Sequence, residues 1–124
     1  MSQLLAIGLG GFVGAITRYS IHTWALRLGT FPYGTLIVNV AGCFLLGAIY
    51  TFARERDDLS VNVQSFLTFG FLGSLTTFST FSGETAELLR QDHLFQALAN
   101  IALNLFLGLV AVGMGRALVL RLVQ

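Results

Sequence analysis

Four apolar stretches, parted by short polar turns, leave this chain of 124 residues few folds to choose from. A helix of about 20 residues crosses the hydrocarbon core of a bilayer. Residues 4–26, 34–53, 61–89 and 94–122 are apolar over that length. Inside lipid each backbone N–H and C=O must find a partner within the protein, so such stretches are helices. Only 10% of the residues are charged and 55% are hydrophobic, whereas a soluble domain carries roughly 25% charged residues. The expected fold is an all-α membrane protein with four transmembrane helices, in a single domain covering residues 1–124.

Several function classes fall away at once. A net charge of +1 offers no electrostatic footprint for nucleic acid. The single cysteine, Cys43, forbids an intrachain disulfide and reads as a small buried hydrophobe. Met1-Ser2-Gln3 lacks a basic region and the apolar stretch behind it outruns a signal peptide, so the first span is expected to stay in the membrane. Gly8 and Gly10 are followed by Val13 where a dinucleotide fingerprint needs glycine. No Ser/His/Asp or Cys/His pairing and no zinc-ligand spacing is present, so no enzyme is expected. The apolar middles of spans one, two and four hold no Asp or Glu, which argues against a small proton-coupled cation antiporter with an intramembrane exchange carboxylate.

Orientation is weakly encoded. With four spans, Arg54, Arg56, Arg116 and Arg121 share one side, and Arg18, Arg27 and Arg90 lie towards the other. Basic residues normally mark the cytoplasmic side, and four against three is almost no bias. Two readings are open: one fixed topology with a faint signal, or insertion both ways up with antiparallel pairing. Gly10 and Gly14 form a small-xxx-small surface that lets helices approach closely, either within one subunit or between two. The run Arg54-Glu-Arg-Asp-Asp58 reads as a solvated turn.

The third span is chemically unlike the rest. Between Gly70 and Gly83 it carries Ser74, Thr76, Thr77, Ser79, Thr80 and Ser82, with Phe78 and Phe81 three residues apart. Gly70, Gly73 and the β-branched Thr76-Thr77 weaken helix propensity, and hydroxyls can replace lost backbone partners. Either the helix breaks near Gly73–Thr77, aiming carbonyls at cations and a half-helix N-terminus at anions, or it continues and the hydroxyls bond back to i−4 carbonyls. Phe78 and Phe81 share a helix face. They meet lipid or core, or they present their partly positive ring edges beside hydroxyl donors to a small anion.

Asn39 is a lone amide in the second span, and Asn100 and Asn104 stand four apart on the fourth. Amides commonly bridge helices in lipid; alternatively, or in addition, their NH2 groups line an anion path. Arg18 either snorkels to the interface or raises the local anion concentration at a pore mouth. Glu84 and Glu87 follow the phenylalanines by one or two turns, in a vestibule or capping a helix partner. His22 and His93 lie near span ends and read as interfacial.

Gly73-Ser-Leu-Thr76-Thr-Phe78-Ser-Thr-Phe81-Ser82 resembles the signature of the microbial fluoride channels, the Fluc/CrcB family. Gly10-Gly11-Phe-Val-Gly14-Ala-Ile-Thr-Arg18 resembles that family's first helix, and Gly34-Thr-Leu-Ile-Val-Asn39-Val-Ala-Gly42-Cys-Phe-Leu-Leu-Gly47 its second. Length and layout match throughout. The resemblance implies an antiparallel, dual-topology homodimer in the bacterial inner membrane, with the third helix broken at mid-membrane. It implies two pores, each lined by both subunits, with Phe78 and Phe81 giving ring edges and Asn39, Ser79 and Thr80 giving polar contacts to fluoride. Carbonyls of Gly73 and Thr76 from both subunits would hold a structural Na+, and Arg18 would lie towards the entrance. On the fourth helix Asn104 and Asn100 are the candidates for a polar track, and Gly108 offers no side-chain donor to extend it.

A physiological expectation follows from this resemblance. Fluoride enters cells as neutral HF and is trapped where HF dissociates. A passive channel suffices for export, because an inside-negative potential drives an anion outward with ~2.3 kcal/mol per 100 mV.

Overall fold

The computed structural model describes residues 2–56 and 59–123; Asp57 and Asp58 of the expected turn lie outside the described residues. Helix α1 (Gln3–Ala25) runs on into a 3-10 turn, Leu26–Leu28, and α2 is Tyr33–Glu55. The third apolar stretch is two helices. We label residues 61–75 α3, which comprises Val61–Ser65, a π-helical Phe66–Leu72 and a last α-turn Gly73–Leu75. Helix α4 is Phe78–Arg90, and α5 is Leu94–Val123. Among the described residues no strand occurs.

Three helical stretches, Gln3–Leu28, Tyr33–Glu55 and Leu94–Val123, are long and apolar enough to cross a membrane. Neither half of the third stretch is: the 13 residues of α4 rise only about 20 Å. The surface agrees with a lipid setting. Leu9, Phe12, Phe95, Phe106 and Leu109 face outward, while Thr35, Ser65, Thr77, Thr85 and Asn100 are buried, the reverse of a protein folded in water. Val38, Leu72 and Leu75 form the buried apolar cluster, directly beside the break.

Gly10 and Gly14 answer one open question. A Cβ on Gly10 would strike the carbonyl of Phe66, and one on Gly14 the carbonyl of Phe71; Gly70 returns the contact, since a Cβ added there would lie 2.6 Å from the Ile7 carbonyl oxygen. The small-residue face of α1 is therefore filled within the chain, by the π-helical segment of α3. That segment carries a widened turn: the Gly73 N–H reaches back five residues to the Thr68 carbonyl as well as to Gly70. Single π turns inside α-helices often sit near functional sites, and this one ends at the break.

Candidate functional site

The break is two residues long. Thr76 (φ −83°, ψ 153°) and Thr77 (φ −153°, ψ 113°) are extended. Thr76 closes α3, since both its N–H (3.0 Å) and its Oγ1 (2.9 Å) donate to the Leu72 carbonyl. Its methyl group is pressed against α2 at Gly42, where a Cβ would collide with it. Thr77 opens α4 as its N-cap: its Oγ1 accepts from the Thr80 N–H at 3.2 Å and donates to Thr80 Oγ1 at 3.0 Å. Threonine is a favoured residue there because its hydroxyl replaces a missing helical acceptor.

Four carbonyls, those of Gly73, Ser74, Leu75 and Thr76, lose their helical donors as a result. In a continuous helix the Thr77 N–H would serve Gly73 and the Thr80 N–H would serve Thr76. The first donates instead to Asn39 Oδ1 at 2.9 Å and the second to Thr77 Oγ1. Among the described residues, Gly73 and Thr76 are thus two of the carbonyls left without a helical donor, at the negative end of one helix and beside the positive end of the next. Hard oxygen donors of this kind suit an alkali cation. Among the described residues no cluster of His, Cys, Asp or Glu provides a competing metal site.

Asn39 spans the break from α2. Its Nδ2 donates to the Thr77 carbonyl (3.4 Å) and to Asn104 Oδ1 (3.0 Å), so both amide hydrogens are engaged. Asn104 Nδ2 donates to the Asn100 carbonyl (2.9 Å) and to Asn100 Oδ1 (3.0 Å). Asn100 Nδ2 donates to Thr85 Oγ1 (2.9 Å), which donates to the Phe81 carbonyl (2.7 Å). The amides bridge three helices, and two of them, Asn39 and Asn104, also border the cavity described next.

A cleft of about 410 Å³ opens beside the break, lined by Asn39, Gly73, Thr76, Thr77, Phe78, Phe81 and Asn104 among others. The two rings lie 5.6 Å apart, inclined by 48°. Phe78 is 80% exposed on the single chain. A second cleft, about 320 Å³, is lined by Arg18, Thr80, Thr77 and Thr35. The two clefts share Thr77, which stands between Arg18 and the rings. Ser79 is exposed, its Oγ 3.2 Å from Thr77 Oγ1. Glu84 accepts from Thr35 Oγ1 at 2.8 Å, which ties α4 to α2, while Glu87 pairs with Arg90 at 2.7 Å.

Of the contributors, Thr85 is not singled out in the sequence, and Thr77 is named there only as part of the expected break, not as a cap. Thr77 is the hub of the break, and the Thr-x-x-Thr spacing of Thr77 and Thr80 was its available N-cap signal. Thr85 carries no local signal at all, because its partner Asn100 comes from another helix.

An all-helical membrane protein whose third crossing is interrupted, with unpaired carbonyls and an aromatic pair at the interruption, belongs to the class of ion-conducting or transporting proteins built on broken helices. The chain is a member of the CrcB-like family (CrcB-like protein, Camphor Resistance), whose profile matches residues 5–116. It is 50% identical over 121 residues to a Shewanella amazonensis protein named fluoride-specific ion channel FluC, covering 96% of this chain and 97% of that one. Proteins of the same name from Shewanella loihica (45% over 121 residues; 96% and 97% covered) and Clostridium perfringens (46% over 116 residues; 92% and 91% covered) are similar along nearly their whole length.

Proposed function

We propose that this chain is a fluoride-selective passive channel of the bacterial inner membrane that exports cytoplasmic fluoride and works as an antiparallel homodimer. The observation that carries it is the tilted pair Phe78 and Phe81, set against the break in a cleft that a single chain leaves open. The backbone carbonyls that lose their helical donors at this cleft would find no partner in lipid, so the site suits a second subunit better. The near-balanced arginines support insertion both ways up.

In this reading Arg18 concentrates anions at the mouth. Thr80 and Ser79 hydroxyls begin to replace fluoride's water. The edges of Phe78 and Phe81, positive by virtue of the ring quadrupole, carry the ion past the break, with Asn39 and Asn104 alongside. None of these groups is a fixed cation in the narrow part, so the ion is released as readily as it is bound. The freed carbonyls of Gly73 and Thr76, with their counterparts in a second copy, fit a structural Na+. Such an ion would neutralise two facing helix C-termini.

Purified protein in liposomes loaded with potassium fluoride and potassium chloride, with sodium on both sides, tests the function. On dilution into K+-free medium, valinomycin lets K+ leave, makes the interior negative, and should drive fluoride out within seconds while chloride stays inside. Equal loss of both halides, or no loss, would overturn the reading. Single-cysteine pairs cross-linked in native membranes test the antiparallel arrangement separately. An antiporter of organic cations is disfavoured by the carboxylate-free middles of α1, α2 and α5 and by the names of the relatives.

A further inference from the structure

We infer that Thr85 and Asn100 are positioning residues for Phe81: they hold the first turns of α4 against α5 and so set where that ring stands relative to the break. The inference rests on the channel reading above and adds residues to it.

The geometry is a closed circuit. Starting at Thr77, one bridge passes through Asn39 to Asn104 and Asn100 and returns through Thr85 to the Phe81 carbonyl. Thr77 and Phe81 are one helical turn apart, and the circuit fastens both ends of that turn to α2 and α5. Every bond runs in one donor direction from Asn39 onward, so each amide's carbonyl oxygen accepts while its NH2 donates. Asn100 is 0% exposed. A primary amide at that depth is stable only when its polar atoms are paired, and leaving one donor unmade is costly.

Thr85 is the weak point of the circuit and also its most informative member. Among the described residues it is the only side chain whose hydrogen bond connects Asn100 to α4. Its hydroxyl accepts from Asn100 while donating to the carbonyl of Phe81, the residue whose ring lines the cleft. A hydroxyl that back-bonds to the i−4 carbonyl bends a helix slightly, so an additional pull on that hydroxyl from α5 fixes the tilt of the turn carrying Phe81. Neither Thr85 nor Asn100 lines the cleft. They act through the backbone of Phe81, not on the ion.

The test uses three forms of the full chain: wild type, Thr85→Val and Thr85→Ser. Valine keeps the shape and deletes both hydrogen bonds; serine keeps both bonds and trims a methyl. Fluoride efflux from liposomes should fall about tenfold in Thr85→Val, the rate equivalent of one buried hydrogen bond left unmade, and return to within about twofold of wild type in Thr85→Ser. A spectroscopic readout accompanies it. With 4-fluorophenylalanine at position 81 and fluoride-free buffer, the ring should give one sharp 19F resonance in wild type and Thr85→Ser, and a shifted or exchange-broadened one in Thr85→Val. Thr85→Ala serves the same end should the valine variant fail to assemble. An unmoved resonance in the hydroxyl-deleted form overturns the inference, as does equal loss of flux in valine and serine variants. Absence of fluoride flux in the wild type would defeat the channel reading alone, since the resonance still decides whether Thr85 positions the ring.

Discussion

The side-chain amide of Asn39 brackets the backbone of Thr77: its Oδ1 accepts the Thr77 N–H at 2.9 Å and its Nδ2 donates towards the Thr77 carbonyl at 3.4 Å. A two-point pairing of this kind imitates the exchange between facing residues of a β-ladder. It supplies within the protein what an interrupted helix in lipid cannot obtain from solvent. The extended backbone at Thr77 is thereby held open by a residue on another helix.

Asn39→Asp should separate bracket from path. The carboxylate still accepts the Thr77 N–H, but both donated bonds are lost and a negative charge arrives beside the cleft. Fluoride efflux from liposomes is expected to fall at least tenfold, the equivalent of about 1.4 kcal/mol or more. Faster efflux would refute the placement of Asn39 beside an anion route.

Phe81→Ile removes the ring edge and keeps an apolar side chain. Fluoride flux should drop about tenfold or more, on the scale of losing an aromatic contact of ~1–1.5 kcal/mol, while size-exclusion chromatography shows an unchanged assembly. Undiminished flux would exclude that ring from conduction.

Gly14→Ala and Gly8→Ala make a matched pair on α1. The added methyl at Gly14 meets the backbone of Phe71, whereas the one at Gly8 meets open space. The first should destabilise by about 1–3 kcal/mol, seen as a lower thermal midpoint in detergent. The second, which meets no neighbour inside a helix, should leave stability unchanged or raise it by up to about 1 kcal/mol.

Thermal stability should rise with sodium concentration if the Gly73 and Thr76 carbonyls hold the ion. A ligand at 100 times its dissociation constant adds about 2.7 kcal/mol. Replacing sodium by N-methyl-D-glucamine at constant ionic strength should lower the midpoint; equal midpoints would remove the ion from the scheme.

The membrane-spanning helical character was legible because it depends on local composition. Apolar runs without carboxylates leave the backbone no option but helix. The break was legible as one of two options, since Gly70, Gly73 and Thr76-Thr77 lower helix propensity without forbidding a helix. What tipped the balance lies far along the chain: the Asn39 amide, 38 residues before Thr77, is the acceptor that makes leaving the helix tolerable. Likewise the Gly10–Gly14 face could have met a second subunit or its own chain. The π-helical turn of α3 settles it, and no local signal in Phe66–Leu72 announced that widening.

Sequence alone therefore determined the solvent this protein lives in, the segments that face it, and the family to which it belongs, all properties carried by contiguous residues. Tertiary structure alone decided which polar atoms are partners. Amides and hydroxyls in lipid must pair with whatever packing brings within reach, and the circuit from Thr77 through Asn39, Asn104, Asn100 and Thr85 to Phe81 exists only once α2, α4 and α5 are in contact.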